Sequence, residues 1–142
     1  MEVSQVRKRL KATIDASRER ASKRRERNAE AQRAYENFLV EIATPVARQL
    51  ANALKVEGYA FTVSTPGNGL RLASDRGRDD FIELALDTSG DRPEVMGRVS
   101  QQRGSRTRDE EMPVKRGAYP EEISEEDFLE FLLSGLEPWL ER

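Results

Sequence analysis

The hydrophobic positions divide the chain into segments of different period. Val3, Val6, Leu10 and Ile14 recur at the spacing that lines one face of a helix. From Asp15 to Glu30 the apolar side chains shrink to Ala16, Ala21 and Ala29, and a stripe then resumes through Ala31, Ala34, Tyr35, Phe38, Leu39 and Ile42. Residues 3–43 contain neither Gly nor Pro and are rich in Ala, Arg, Glu, Lys and Gln, which predicts one long helix. A strict heptad through Val3 and Leu10 puts Ser17 and Arg24 in its seam, and one through Val6 puts Arg20 and Arg27 there. Successive arginines in a seam disfavour an ordinary dimeric coiled coil. The middle of the helix is therefore either a solvated bridge or a small-residue face loosely packed on a partner. Glu19 and Lys23 form a correctly oriented pair one turn apart, while Arg20 and Arg24 repel at the same spacing.

Thr44-Pro45 interrupts this run. With Thr as N-cap and Pro at the first helical position, a second helix is expected from Pro45 to Glu57, with Val46, Leu50, Ala53 and Leu54 inward and Gly58 as its stop. One continuous, kinked helix is the alternative. Beyond Gly58 the period changes to two. Tyr59, Phe61 and Val63 alternate with polar or small residues, and Pro66-Gly67-Asn68-Gly69 is a turn that leads into Leu70 and Leu72. Phe81–Asp87 and Glu94–Gln102 alternate in the same way, whereas Gly104–Glu111 reads as a mobile polar loop and Met112–Lys115 as a short edge strand suited to Pro113. The last element is a helix opened by Ser124 and Asp127 as a capping box. Phe128, Leu129, Phe131, Leu132, Leu133 and Leu136 give it a wide apolar face; Gly135 and Pro138 are expected to end or kink it and fold Trp139 and Leu140 back. The expected fold class is α+β: a long N-terminal helix, a second helix, an antiparallel four- to five-stranded meander and a C-terminal covering helix. Two parts are expected, an extended basic helix over 1–34 and a compact α+β domain over 35–142.

Charge sharpens that division. The 142 residues carry a formal net charge of -2. Residues 1–34 hold 11 basic and 5 acidic side chains, a net of +6, so the remainder carries -8. All nine aromatic residues lie at or after Tyr35. The stretch from Pro120 is the most acidic. Arg outnumbers Lys 19 to 5, which suits phosphate binding but is better read as the mark of a GC-rich bacterial genome. No stretch approaches the roughly 18 apolar residues of a membrane span, and Met1–Lys11 lacks the apolar core of a secretory signal. A cytoplasmic location is the expectation.

The chain has no Cys and no His, which excludes zinc fingers, disulfides, thiol nucleophiles and Ser-His-Asp triads. A metal site would need oxygen ligands alone. Asp75, Asp79, Asp80, Glu83 and Asp87 are the acidic candidates for metal-dependent chemistry, but position 85 is Ala where many metal nucleases place a Lys, and solvated loop charge accounts for them. The turn at 66–69 joins two strands, so it lacks the helix a phosphate-cradling loop requires. No cofactor is indicated.

The N-terminal helix holds the remaining candidates. Val3, Val6, Leu10 and Ile14 form a partner-binding stripe for a second copy or another protein. Arg18, Lys23, Arg24, Arg25 and Arg27 are candidate nucleic-acid contacts through counterion release, with Asp15, Glu19, Glu26 and Glu30 opposing them. The stripe has basic flanks but no aromatic anchor, which argues against a membrane surface. Opposite charge would also steer the basic helix toward the acidic C-terminal helix of a neighbouring subunit. A non-enzymatic cytoplasmic protein that oligomerises or docks through its N-terminal helix is the function these features support best. A nucleic-acid binder is second and a metal-dependent enzyme third.

Overall fold

A computed structural model describes residues 1–141. The first helix, α1, spans Val3–Phe38. It runs without a break through a π-helical turn, Leu39–Ala43, into α2, Thr44–Val56. The alternative of a continuous helix therefore holds, and Thr44 is not an N-cap. Its φ/ψ of -66/-48° is helical, and its amide donates to the Leu39 carbonyl five residues back. The physical reason is Pro45. It has no N–H to donate, and in a regular α-helix its ring would press on the Glu41 carbonyl. Widening the preceding turn by one residue relieves that collision while keeping the helix continuous.

The inserted residue also sets which side chains face inward. Ala31, Tyr35 and Phe38 are buried before the π turn, and Ala43, Ala47 and Leu54 after it. Ala53, expected inward, is exposed, and Ala47 takes the buried place. α2 ends as expected. The Gly58 amide donates to the Lys55 carbonyl, and φ of +92° places this residue in the left-handed region that glycine tolerates.

The five strands are β1 (Phe61–Ser64), β2 (Leu70–Ser74), β3 (Phe81–Asp87), β4 (Glu94–Arg103) and β5 (Arg106–Pro113). They form one antiparallel sheet in sequential order, the expected meander with five strands. β5 corrects the expectation for 104–111. Instead of a mobile loop followed by a short strand, Arg106 pairs with Arg103 and the ladder continues to Pro113 opposite Met96. Arg106–Glu111 are all exposed. A charged, two-sided-polar strand has no hydrophobic alternation to announce it, yet such charge suits an edge by discouraging further pairing.

Register gathers one face of the sheet into the core. Val63, Leu72, Ile82 and Val99 lie in one row across β1–β4, with Leu70, Leu84 and Gly97 in the next. The opposite face carries ion pairs. Arg71 Nε donates to Glu83 at 2.8 Å and Arg98 Nε to Asp109 at 3.0 Å. Both guanidinium groups lie over the Phe81 ring, at 4.3 and 5.4 Å from its centroid, so Phe81 is buried beneath charged side chains on this face.

The covering helix α3 spans Glu125–Leu140. Its capping box is formed. Ser124 Oγ accepts from the Asp127 amide, and Asp127 Oδ2 accepts from the Ser124 amide. The Ser124 amide and then Lys115, whose Nζ is 3.0 Å away, hold the Asp127 carboxyl below the usual carboxylate range. Two expectations for α3 are corrected. Pro138 lies inside the helix, and Trp139 is buried as part of it, edge-on to Phe61 at 5.7 Å, rather than folded back. Leu129 and Leu133 do not join the buried face of Phe128, Phe131, Leu132 and Leu136; they point to solvent at 37% and 45% exposure. Two glycines bring helix and sheet into contact. A Cβ at Gly97 would fall 2.0 Å from Phe131 Cζ, and one at Gly135 would meet Ile82 and Val99 at 3.1 and 3.3 Å.

Candidate functional site

Every side chain of residues 1–20 is exposed. Arg27 and Asn28 are partly covered, and Ala31 is the first buried residue. Residues 3–30 therefore rise roughly 40 Å, at 1.5 Å per residue, with little contact to the rest of the chain. The stripe of Val3, Val6, Leu10 and Ile14 lies on this free part, at 73, 48, 57 and 39% exposure. All four candidate partner-binding residues thus share one helical face, which none of the described residues covers.

The candidate nucleic-acid contacts divide. Lys23, Arg24 and Arg27, joined by Arg20, converge on an open cleft of about 420 Å³ against Ser89, Gly90 and Asp91 of the β3–β4 turn. Arg18 and Arg25 are seven residues apart and so share one face, but it is the opposite side of the helix. The cations ring the helix rather than forming one track for a phosphate backbone, and Asp91 sits among the converging group. Lys23 is engaged with Glu19 at 3.4 Å.

Four of the five acidic candidates, all but Asp79, are engaged in contacts of the fold. Asp80 is buried and its Oδ1 accepts from the Gln102 amide at 2.9 Å. Asp75 accepts from Thr62, Glu83 from Arg71, and Asp87 from the amide and hydroxyl of Ser89. Those Ser89 hydrogen bonds lower the Asp87 pKa. Among the described residues no three Asp or Glu side chains gather closely enough to hold a metal ion, and no helix is long and apolar enough to cross a membrane.

Two buried polar groups are not among the candidates from the sequence. Tyr35 is buried, and among the described residues its hydroxyl has no hydrogen-bond partner. Burial, and then the Glu83 carboxylate, push its pKa well above the ordinary phenol range, so it stays neutral. Gln101 is 1% exposed, and among the described residues neither its Nε2 nor its Oε1 has a partner. It lines a cavity of about 280 Å³ between β4, β5 and the C-terminal half of α3, with Arg108, Glu110, Ser134 and Glu137 at the walls. The signal is present in the alternation itself, since the inward series Val95, Gly97, Val99 continues to position 101. Gln101→Met keeps the side-chain volume and removes two unpaired polar atoms, each of which costs about 1–3 kcal/mol when buried. The variant is expected to melt a few degrees higher in calorimetry; a lower melting temperature would show that the amide is satisfied and stabilising.

Comparison with protein-family models, with curated proteins and with solved structures finds no match to this chain.

Proposed function

We propose that this chain is a non-enzymatic, cytoplasmic interaction protein that docks or oligomerises through α1. The observation that carries this is the exposed stripe Val3, Val6, Leu10 and Ile14 on a helix reaching well beyond the packed core. Each such side chain gains about 1.5–3 kcal/mol when fully buried, so the free arm has a drive to be covered that the chain itself does not satisfy. The rest of α1 suits a presenting stem, because Asp15–Glu30 offers only alanines as apolar contacts. Asp75, Asp80, Glu83 and Asp87 are engaged in strand and turn contacts, which favours a structural role for them over catalysis.

The test is multi-angle light scattering across a concentration series, paired with capture of partners on the immobilised full chain. The wild type is expected to self-associate or retain a protein. Leu10→Glu/Ile14→Glu is expected to abolish either association without changing the melting temperature, since both positions are exposed. A strictly monomeric wild type that retains nothing would overturn the proposal. Binding to DNA or RNA that falls steeply with salt and is lost in Arg24→Glu/Arg25→Glu would transfer the function to nucleic acid.

A further inference from the structure

Two apolar stripes on this molecule are uncovered, and they match. On α3, Leu129, Leu133 and Leu140 are 37, 45 and 39% exposed. On α1 the stripe runs from Val3 to Ile14. Each stripe covers the same eleven-residue rise, about 16 Å. Their charges are opposite. The α3 stripe is flanked by Glu126, Glu130, Glu137 and Glu141, all exposed, and among the described residues none of the four is in an ion pair. The α1 stripe is flanked by Arg7 and Lys11, equally exposed and without an ion pair among those residues.

We infer that the α1 stripe of one copy docks on the α3 stripe of a second copy of this chain, with the two helices antiparallel. This rests on the proposal that α1 is a docking element and names its partner. The contact is between molecules. Ile14 is 17 residues, roughly 25 Å of unbroken helix, from the first buried residue at Ala31. A straight helix leading away cannot return its tip to the α3 of its own chain. Orientation comes from the flanks. At 3.6 residues per turn, Arg7 and Lys11 lie on the same side of their stripe, viewed from the N-terminus, as Glu126, Glu130 and Glu137 do of theirs. Like-sided flanks come face to face only when helices run in opposite directions. With Val3 opposite Leu140 and Ile14 opposite Leu129, Arg7 comes beside Glu137 and Lys11 beside Glu130. The opposite charges set direction and register, and burial of the leucines, valines and isoleucine supplies the affinity. Exchanged reciprocally, the contact closes as a dimer.

A charge-exchange experiment on the full chain decides it, read by sedimentation velocity. One variant carries Arg7→Glu/Lys11→Glu, the other Glu130→Lys/Glu137→Lys. Each alone is expected to raise the concentration at which dimers form at least tenfold. Their equimolar mixture is expected to recover dimerisation, because the reversed arm of one variant meets the reversed flank of the other with opposite sign. Three results would overturn the inference: a wild type monomeric at all concentrations, a Glu130/Glu137 variant that dimerises like the wild type, or a mixture that stays dissociated. The α1 docking proposal has its own readout in the Leu10→Glu/Ile14→Glu variant. If that variant dissociates while the Glu130/Glu137 variant does not, copies meet through α1 but not on α3. If the wild type is monomeric yet retains another protein through Leu10 and Ile14, α1 docks on that protein instead.

Discussion

Phe128→Ala is expected to cost about 3–5 kcal/mol of folding free energy, a large share of the roughly 5–15 kcal/mol that holds a domain folded. Phe128 is fully buried at the junction of α1 and α3. Its ring meets Phe38 of α1 edge-on at 5.5 Å and stacks near Phe131 at 6.3 Å, so it joins the long helix to α3. Truncation opens a cavity that neither helix can close alone, because Phe38 lies just before the π turn and Phe131 is held against Gly97. Urea denaturation is the measurement. The midpoint should fall sharply with an unchanged slope, since a slope change would mean altered compactness rather than a lost contact. Phe128→Leu should recover more than half of the loss by refilling most of the space.

The second large effect comes from adding atoms. Gly97→Ala would place a Cβ 2.0 Å from Phe131 Cζ, far inside van der Waals contact. Gly97 is in β4, paired to Leu84 on one side and Met112 on the other, so its backbone cannot retreat without breaking a ladder. Phe131 must move instead, and it is packed against Phe128. Overpacking of this kind costs about 1–3 kcal/mol, and more where neither partner can yield. The combination Gly97→Ala/Phe131→Leu is expected to be more stable than Gly97→Ala alone. A double-mutant cycle should give a coupling above about 1 kcal/mol, the mark of two residues in direct contact. Additive effects would show that the strain is relieved elsewhere.

Where side chains alternate or recur with a clear apolar period, sequence and structure agree. The strands through Leu70, Ile82 and Val95, the capping box at Ser124 and the glycine stop at Gly58 were all legible, because each depends on local chemistry. Three things were not. β5 is held by its pairing with β4, a long-range contact that leaves no hydrophobic pattern in Arg106–Glu111. The π turn arises from a collision between Pro45 and a carbonyl one turn earlier, and a proline after a threonine looks the same whether it starts a helix or is absorbed within one. Leu129 and Leu133 face outward because the packing of α3 buries only part of its wide apolar face, and the sequence does not say which part. For the candidate site, the α1 stripe could be seen in the spacing alone. Its α3 counterpart could not, because six apolar residues in α3 look equally suited to the core. The basic residues read as one cluster when counted, although their spacing already sets Arg18 and Arg25 apart from the rest; what the sequence could not show is that the others meet the β3–β4 turn.

The single residue added in the turn Leu39–Ala43 has an effect far from Pro45. An extra residue rotates everything on its N-terminal side by about 100° relative to α2. The arm is a continuous extension of that turn, so its aim follows the π-helical register together with the contacts its base makes around Arg27 and Ala31, and no contact of the exposed tip sets it. Deleting one residue there would leave the apolar stripe intact and its neighbours unchanged, yet turn it to a different quarter of the compass. The bearing of the arm is thus encoded more than twenty residues away from the side chains it presents.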